Sequence, residues 1–231
     1  MGLDSKGRVV LPFARYRIKH SAIVSARRYL YDVGSDRVRP MTGLPSGMCP
    51  LDGFAIWGKR IAYSVSCSSK ARNGVWVKDG NKTQRIVAAP QSVLTFVLRG
   101  STLAGELDLG AQDYQRYLLM VGGKRCVRAI PGSIANLETE DLAGIWIANG
   151  TVVWSKGYFR GDSTGSPPAS PDRGLFTSKV PSDCSAPGPN SRFEFNPETT
   201  YLTSFDLDGN QLYYSGYDGI RRHTLPAQPS S

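Results

Sequence analysis

An all-β chain folded as a β-propeller is what this sequence predicts, and three observations carry the prediction. No long stretch places apolar residues at i, i+3, i+4 and i+7, so the pattern of an amphipathic helix is missing. Short alternating runs broken by Gly, Asn, Asp and Pro follow one another instead, as in all-β chains. One phrase also recurs: an apolar strand, a tight turn containing glycine, and a second strand. Its turn glycines lie 51, 42, 50 and 59 residues apart. Periods of about 40–50 residues with four strands each belong to propeller blades, which bury both faces only by stacking on neighbours.

The units can be taken in order. "SKGRVVLPF" (5–13) gives a partial copy around Gly7, followed by "RYLYDVGSDRVRPM" (28–41) as strand, turn and strand. "FAIWGKRIAYS" (54–64) turns at Gly58 and continues into "GVWVKDGNKTQRIV" (74–87). "TFVLRGSTLAGE" (95–106) turns at Gly100 and continues into "RYLLMVGGKRCVRAI" (116–130). "GIWIANGTVVWS" (144–155) turns at Asn149-Gly150, and "TSFDLDGNQLYYS" (203–215) at Asp208-Gly209. A two-residue hairpin turn needs positive φ, which glycine adopts without steric cost. Alternation then sends Ile61, Tyr63 and Val65 to one face. About five four-stranded units result, in a single domain over 1–231. They either close as a ring or form part of a larger propeller. The competing architecture is a β-sandwich or barrel whose strands echo one another by accident.

The stretch "GKRIAYS…NGVWVKDGNKTQRIV" resembles the repeat of the TolB-like (WD40-like, PD40-type) β-propellers: a small turn, a strand reading roughly k-I-A-Y/F-s, then a strand ending in a turn that contains Asp. The resemblance extends loosely over most of 5–225. No copy carries the WD dipeptide or the Gly-His pair of WD40 repeats proper. It implies a fold and, by the habit of the family, a scaffold that docks another protein or chain segment. A repeat family does not by itself imply an activity.

Charge is uneven. The net charge is +9, and residues 1–40 carry nine Lys or Arg against three Asp. Such a field attracts polyanions, and Arg15, Arg17, Lys19, Arg27 and Arg28 are the candidate contacts; the alternative is a solvated face that only aids solubility. No apolar run of about 18 residues predicts a membrane span, and no stretch of signal-peptide length opens the chain.

Two motifs share the segment "YFRGDSTGSPPASP" (158–171). Arg160-Gly161-Asp162 spells an adhesion tripeptide. Gly161 to Gly165 fits G-x-S-x-G around Ser163, with Asp208, Asp218 and His223 following in hydrolase order. A nucleophile elbow needs a strand before its serine and a helix after it. Pro167, Pro168 and Pro171 forbid that helix. Residues 163–190 hold six Ser, six Pro and three Gly, so an exposed Pro/Ser/Gly-rich insertion at about 160–195 is expected in the fourth unit, without a catalytic role. Trp57, Trp76, Trp146 and Trp154 sit in strands, where packing between blades competes with a sugar-stacking platform. Glu106, Asp108, Asp113, Glu138, Glu140 and Asp141 supply carboxylates that glycosidic chemistry needs in pairs. Asp206-Leu207-Asp208-Gly209-Asn210 reads as a hairpin turn rather than a calcium loop, for it lacks the downstream Glu. His20 and His223 are the only histidines. No metal or cofactor is expected.

Four cysteines remain. Cys49 and Cys67 lie equally far on either side of Gly58, so hairpin pairing opposes them, and Cys126 and Cys184 are left for a bond between adjacent units. The alternative is four free thiols. Disulfides place maturation in an oxidising compartment, so a secreted, periplasmic or cell-surface protein whose leader is absent from this chain is expected, with a cytoplasmic one as the alternative. The function expected is a non-catalytic binding scaffold, a monomer that presents loops and an axial funnel to a protein or anionic polymer. The alternative is a propeller-type lyase or hydrolase acting on an acidic glycan, and the charges converging at the axis discriminate between the two.

Overall fold

The computed structural model describes residues 2–20, 22–42, 44, 53–65, 73–88, 93–110, 113–136, 145–148, 150–156, 174–187, 191–193, 204–208, 211–216 and 219–224. Among the described residues every regular element is a strand. The first unit holds β1 (Gly2–Asp4), β2 (Val9–Lys19), β3 (Ala22–Asp32) and β4 (Arg37–Pro40). The second holds β5 (Phe54–Gly58), β6 (Arg60–Val65), β7 (Gly74–Asp79) and β8 (Lys82–Ala88). The third holds β9 (Val93–Arg99), β10 (Thr102–Gly110), β11 (Asp113–Val121) and β12 (Lys124–Ala129), with the short β13 (Ala135–Asn136) beside β11. The fourth holds β14 (Ile145–Ala148), β15 (Thr151–Lys156), β16 (Gly174–Lys179) and β17 (Ser191–Phe193). The fifth shows β18 (Ser204–Asp208), β19 (Gln211–Gly216) and β20 (Gly219–Thr224). Within each unit successive strands pair antiparallel. The units are therefore those that the turn glycines mark. Gly58, Gly100 and Gly150 adopt φ of 63°, 60° and 71° in their hairpin turns, where a Cβ would be strained.

The units follow one another as an arc, with the first strands β1, β5, β9, β14 and β18 side by side in that order. Among the described residues the sheets do not close into a ring, consistent with a partial propeller. One feature departs from separate blades. β1 pairs parallel with β5 through Leu3–Trp57 and Asp4–Gly58, which merges the first two units into one eight-stranded sheet. Gly2 permits it: a Cβ there would run into the Ile56 carbonyl.

Each interior unit buries both faces. Val10 and Leu30 of the first unit meet Ile56 of the second. Ala62, Val75, Val77 and Val87 of the second unit meet Leu98, Leu103, Leu107 and Leu119 of the third. Ala104, Leu118 and Ile130 of the third unit meet Ile147, Val152 and Trp154 of the fourth. Burial therefore runs unbroken from Leu103 to Leu107 instead of alternating. Trp154 is fully buried and stacks on Phe176, with ring centroids 5.9 Å apart. Ile61, Tyr63 and Val65 share one cluster, as the alternation requires.

The expected insertion needs correction. β16 and β17 fall inside 160–195 and are the third and fourth strands of the fourth unit, with Thr177 and Ser178 buried. The sequence there reads as linker because proline, serine and glycine flank a strand of only six residues. Residues 157–173, with Arg160, Asp162 and Ser163, lie outside the described residues.

A buried ion pair joins the third unit to the fourth. Glu106 on β10 stands directly opposite Arg116 on β11, and both side chains are fully buried. Arg116 Nε donates to Glu106 Oε1 at 2.9 Å. Its Nη2 donates to the Ser155 carbonyl of β15 at 2.7 Å, and its Nη1 to the Ser133 carbonyl at 3.2 Å. Removing one partner leaves an uncompensated buried charge, at a cost of about 3–5 kcal/mol. Urea titrations should show that loss for Arg116→Leu. The double change Arg116→Leu/Glu106→Leu should recover at least about 1 kcal/mol relative to the sum of the single changes. Additive losses would show that the pair does not act as a unit.

Candidate functional site

The first strands of four units meet around the axis and leave a groove of about 460 Å³. β1 contributes Gly2 and Leu3, β5 contributes Phe54 and Trp57, β9 contributes Phe96 and Arg99, and β14 contributes Trp146. Trp57 and Trp146 are half-buried, while Trp154, one strand out, is core. Among the described residues Arg99 is the one charged residue lining the groove, and its guanidinium carbon lies 5.0 Å from the Trp57 ring centroid. No carboxylate among the described residues lines it. The groove can hold a flat or extended apolar body and meet one anionic or carbonyl group with the guanidinium.

The acidic candidates do not converge there. Glu106 is committed to Arg116. Asp108 accepts a hydrogen bond at 2.7 Å from the backbone of Gly110, a turn role. Asp113 belongs to β11, opposite Gly110. Glu138, Glu140, Asp141 and Asp218 lie outside the described residues. His20 occupies the β2–β3 turn with φ of 49°, and His223 lies on β20 opposite Leu212. Among the described residues no three His, Cys, Asp or Glu gather to hold a metal ion. Of the tryptophans, Trp76 packs beside Tyr63 and under Arg85, so two of the four serve packing and two line the groove. Phe54, Phe96 and Arg99 were not among the sequence candidates. The signal that could have found them is their place on the first strand of a unit, which is the strand that borders the axis.

The basic residues divide between two faces of the first unit. Arg15 pairs across with Arg27, and Arg17 with Ser25, so Arg15, Arg17, Arg27 and, two positions on, Lys19 share one exposed face. Arg15 lies over the stacked pair Phe13 and Tyr29, 5.9 and 5.2 Å from their centroids. Arg28 is the exception. It projects from the opposite face, is 7% exposed, and lies 5.8 Å from the Phe54 ring centroid; burial lowers its pKa from the usual arginine value. A strand alternates, and two adjacent arginines cannot share a face.

At the base of this unit Asp4 binds Arg8 at 2.7 Å and Arg39 at 2.6 Å, and Asp32 binds Arg8 at 2.7 Å. Burial pushes the Asp4 carboxyl up, but hydrogen bonds from the Arg8 side chain and from the Arg8 and Lys6 backbone outweigh it and hold the pKa at about 2. Asp32 is likewise held below its ordinary value, burial being outweighed by Ser35 and Arg8. A depressed carboxylate pKa stabilises the folded state above the unfolded value, and that stability is lost as pH falls through the folded one. The melting temperature should therefore drop between about pH 4 and pH 2. In Asp4→Asn that drop should shrink, and stability at neutral pH should be lower. An unchanged acid profile would remove Asp4 from the account.

Cys126 and Cys184 form a disulfide with a Cα–Cα distance of 5.3 Å, the pairing between adjacent units expected from the sequence. Cys126 lies on β12, and Cys184 in the segment after β16. A bulge opposite Leu119, where Val127 takes φ of 51°, re-aims this part of β12. Arg128 adds a hydrogen bond at 3.1 Å to the Cys184 carbonyl. Cys49 and Cys67 lie outside the described residues. A disulfide is compatible with an extracellular or periplasmic protein, and among the described residues no helix is long and apolar enough to cross a membrane. Cys126→Ser should cost about 2–4 kcal/mol in denaturant. An equal effect of Cys126→Ser with and without reductant would mean that lost core packing, not the bond, is what matters.

No family model and no curated protein matches the chain. Among solved structures, a prolyl endopeptidase is similar over 99% of this chain with a TM-score of 0.60 at 15% identity. Hsv2 of Kluyveromyces lactis is similar over 96% with a TM-score of 0.52 at 14% identity. Both are propeller-type structures, and at such identities the likeness is one of fold alone. The chain spans 33% of the length of the first and 58% of the second.

Proposed function

We propose that this chain is a non-catalytic binding scaffold of TolB-like kind, whose axial groove receives an extended segment of a partner protein or an anionic polymer. The observation that carries this reading is the groove lining: among the described residues, aromatic rings from β5, β9 and β14 surround one guanidinium with no carboxylate. Glycosidic hydrolysis requires a pair of carboxyl groups about 5–10 Å apart, and the described residues of the groove offer none. Lyase chemistry on an acidic glycan needs a base beside the guanidinium that binds the acid, and among the described residues no such group lines the groove either. Aromatic rings beside one cation suit recognition, where the rings supply contact area and the cation orientation. The ligand arrives in an oxidising compartment, in keeping with the disulfide.

The test uses an array of extended peptides, acidic and proline-rich, and reads the fluorescence of Trp57 and Trp146. A hit should lose at least about tenfold in affinity in Arg99→Gln, the loss of one charge-assisted contact. Trp57→Phe and Trp146→Phe should remove the fluorescence change while leaving the fold intact. New reducing ends or unsaturated products from polygalacturonate or heparin, abolished by Arg99→Gln, would put the glycan-cleaving alternative ahead.

A further inference from the structure

The β2–β3 hairpin is longer than the sheet that holds it. β4 pairs only with residues 29–32 of β3, and β1 only with Val9 and Val10 of β2. From the pair Ala14–Arg28 to the pair Lys19–Ala22, no third strand lies beside the two among the described residues. Six residues at about 3.4 Å each make a free two-stranded ribbon about 20 Å long. Between Asp4 and Asp32 the sequence contains no acid. Those two carboxylates are already engaged by Arg8 and Arg39 at the base. Arg15, Arg17, Lys19 and Arg27 are exposed together on one face and enter no ion pair among the described residues.

The geometry points to this ribbon as a contact for double-stranded DNA, lying in the major groove with its four cations toward phosphates and base edges. The inference is independent of the axial groove. A B-form major groove is about 12 Å wide and admits a two-stranded β-ribbon. The deep, narrow major groove of A-form RNA does not. Single strands bind through aromatic faces open to base stacking, but the Phe13–Tyr29 pair already carries the Arg15 guanidinium over its rings. A membrane surface calls for apolar residues at the tip. Here the described residues nearest the tip, Lys19 and His20, are polar and exposed, and the exposed Tyr16 and Ile18 project from the face opposite the cations. A duplex meets the cations on the side where they are.

Fluorescence anisotropy of a labelled DNA duplex of about two helical turns, titrated with the whole chain over a salt series, tests this. Four phosphate contacts predict a loss of affinity of about a hundredfold between 50 and 200 mM salt. The variant Arg15→Ala/Arg17→Ala/Lys19→Ala/Arg27→Ala should lose duplex binding and flatten the salt dependence. Circular dichroism and the melting temperature verify that it is folded. Lys82→Ala/Lys124→Ala, exposed cations on other units, should bind as the parent does. A single strand of equal length, an RNA duplex, heparin and phosphatidylserine vesicles serve as competitors. Any of them displacing the duplex at equal or lower concentration would overturn the proposal, as would absent duplex binding or an equal loss in the control variant.

Discussion

A four-stranded sheet with apolar residues on both faces cannot stand alone in water, and this requirement organises the whole molecule. Leu103, Ala104 and Leu107 are completely buried along one strand, on alternating faces. Such a strand is stable only between two neighbours, at about 25 cal/mol for each Å² of apolar surface covered. Each unit therefore needs the next, and stacking propagates from the first to the fourth. Where stacking stops, the chemistry changes. The outer face of the first unit keeps Leu11 and Val38 exposed at 39% and 47%, and there the chain places cations. The edge strand β4 is short, exposed and carries Arg37, Arg39 and Pro40, features that discourage pairing with another edge.

The axial groove follows from the same geometry. Stacking units side by side brings their first strands together, and residues of those strands line the opening between them. Large rings at those positions narrow the opening. Gly2 and Gly105 set how closely the backbones approach: a Cβ at Gly105 would lie about 3 Å from Leu119, Thr95 and Phe96. The site is therefore not a separate device grafted on loops. It is the inner rim of the stack, and its chemistry is set by the two to five residues that each first strand contributes.

Much of this was legible in the sequence, and the reason is local. Turn glycines with positive φ mark hairpins, hairpins count units, and alternation assigns faces, so the five units and the exposed Arg15, Arg17 and Lys19 follow from short-range rules. The failures are long-range. β16 hides between prolines because its identity depends on pairing with β15 across residues 157–173. Arg28 reads as one more surface cation because its burial depends on Phe54, a residue of the next unit. Glu106 reads as a candidate carboxylate for glycosidic chemistry, and Arg116 draws no reading, because nothing local says that the two are buried as a pair. Lining residues of the groove fail for the same reason, since only stacking puts Phe96 beside Trp57.

The junction between the third and fourth units is held by more than apolar contact, and loop entropy supplies the physical reason. Most other hairpins in the stack close through turns of about two residues, and β6–β7 and β16–β17 are joined over 66–73 and 180–190, whereas β15 and β16 must find each other across residues 157–173. That closure costs about 2 kcal/mol more than a two-residue turn. Three connections lie there. Arg116 anchors the Ser155 carbonyl on β15. The Val180 amide donates to the Gly150 carbonyl at 2.7 Å, which fixes the end of β16 to the turn before β15. The Cys126–Cys184 bond then ties the segment beyond β16 to the edge strand of the third unit. A disulfide of that span stabilises by about 2–4 kcal/mol, enough to offset the closure. The buried charge, costly in itself, fits the same logic: an arginine that reaches four oxygens on two units permits one register of the fourth unit against the third, where apolar surfaces alone tolerate several.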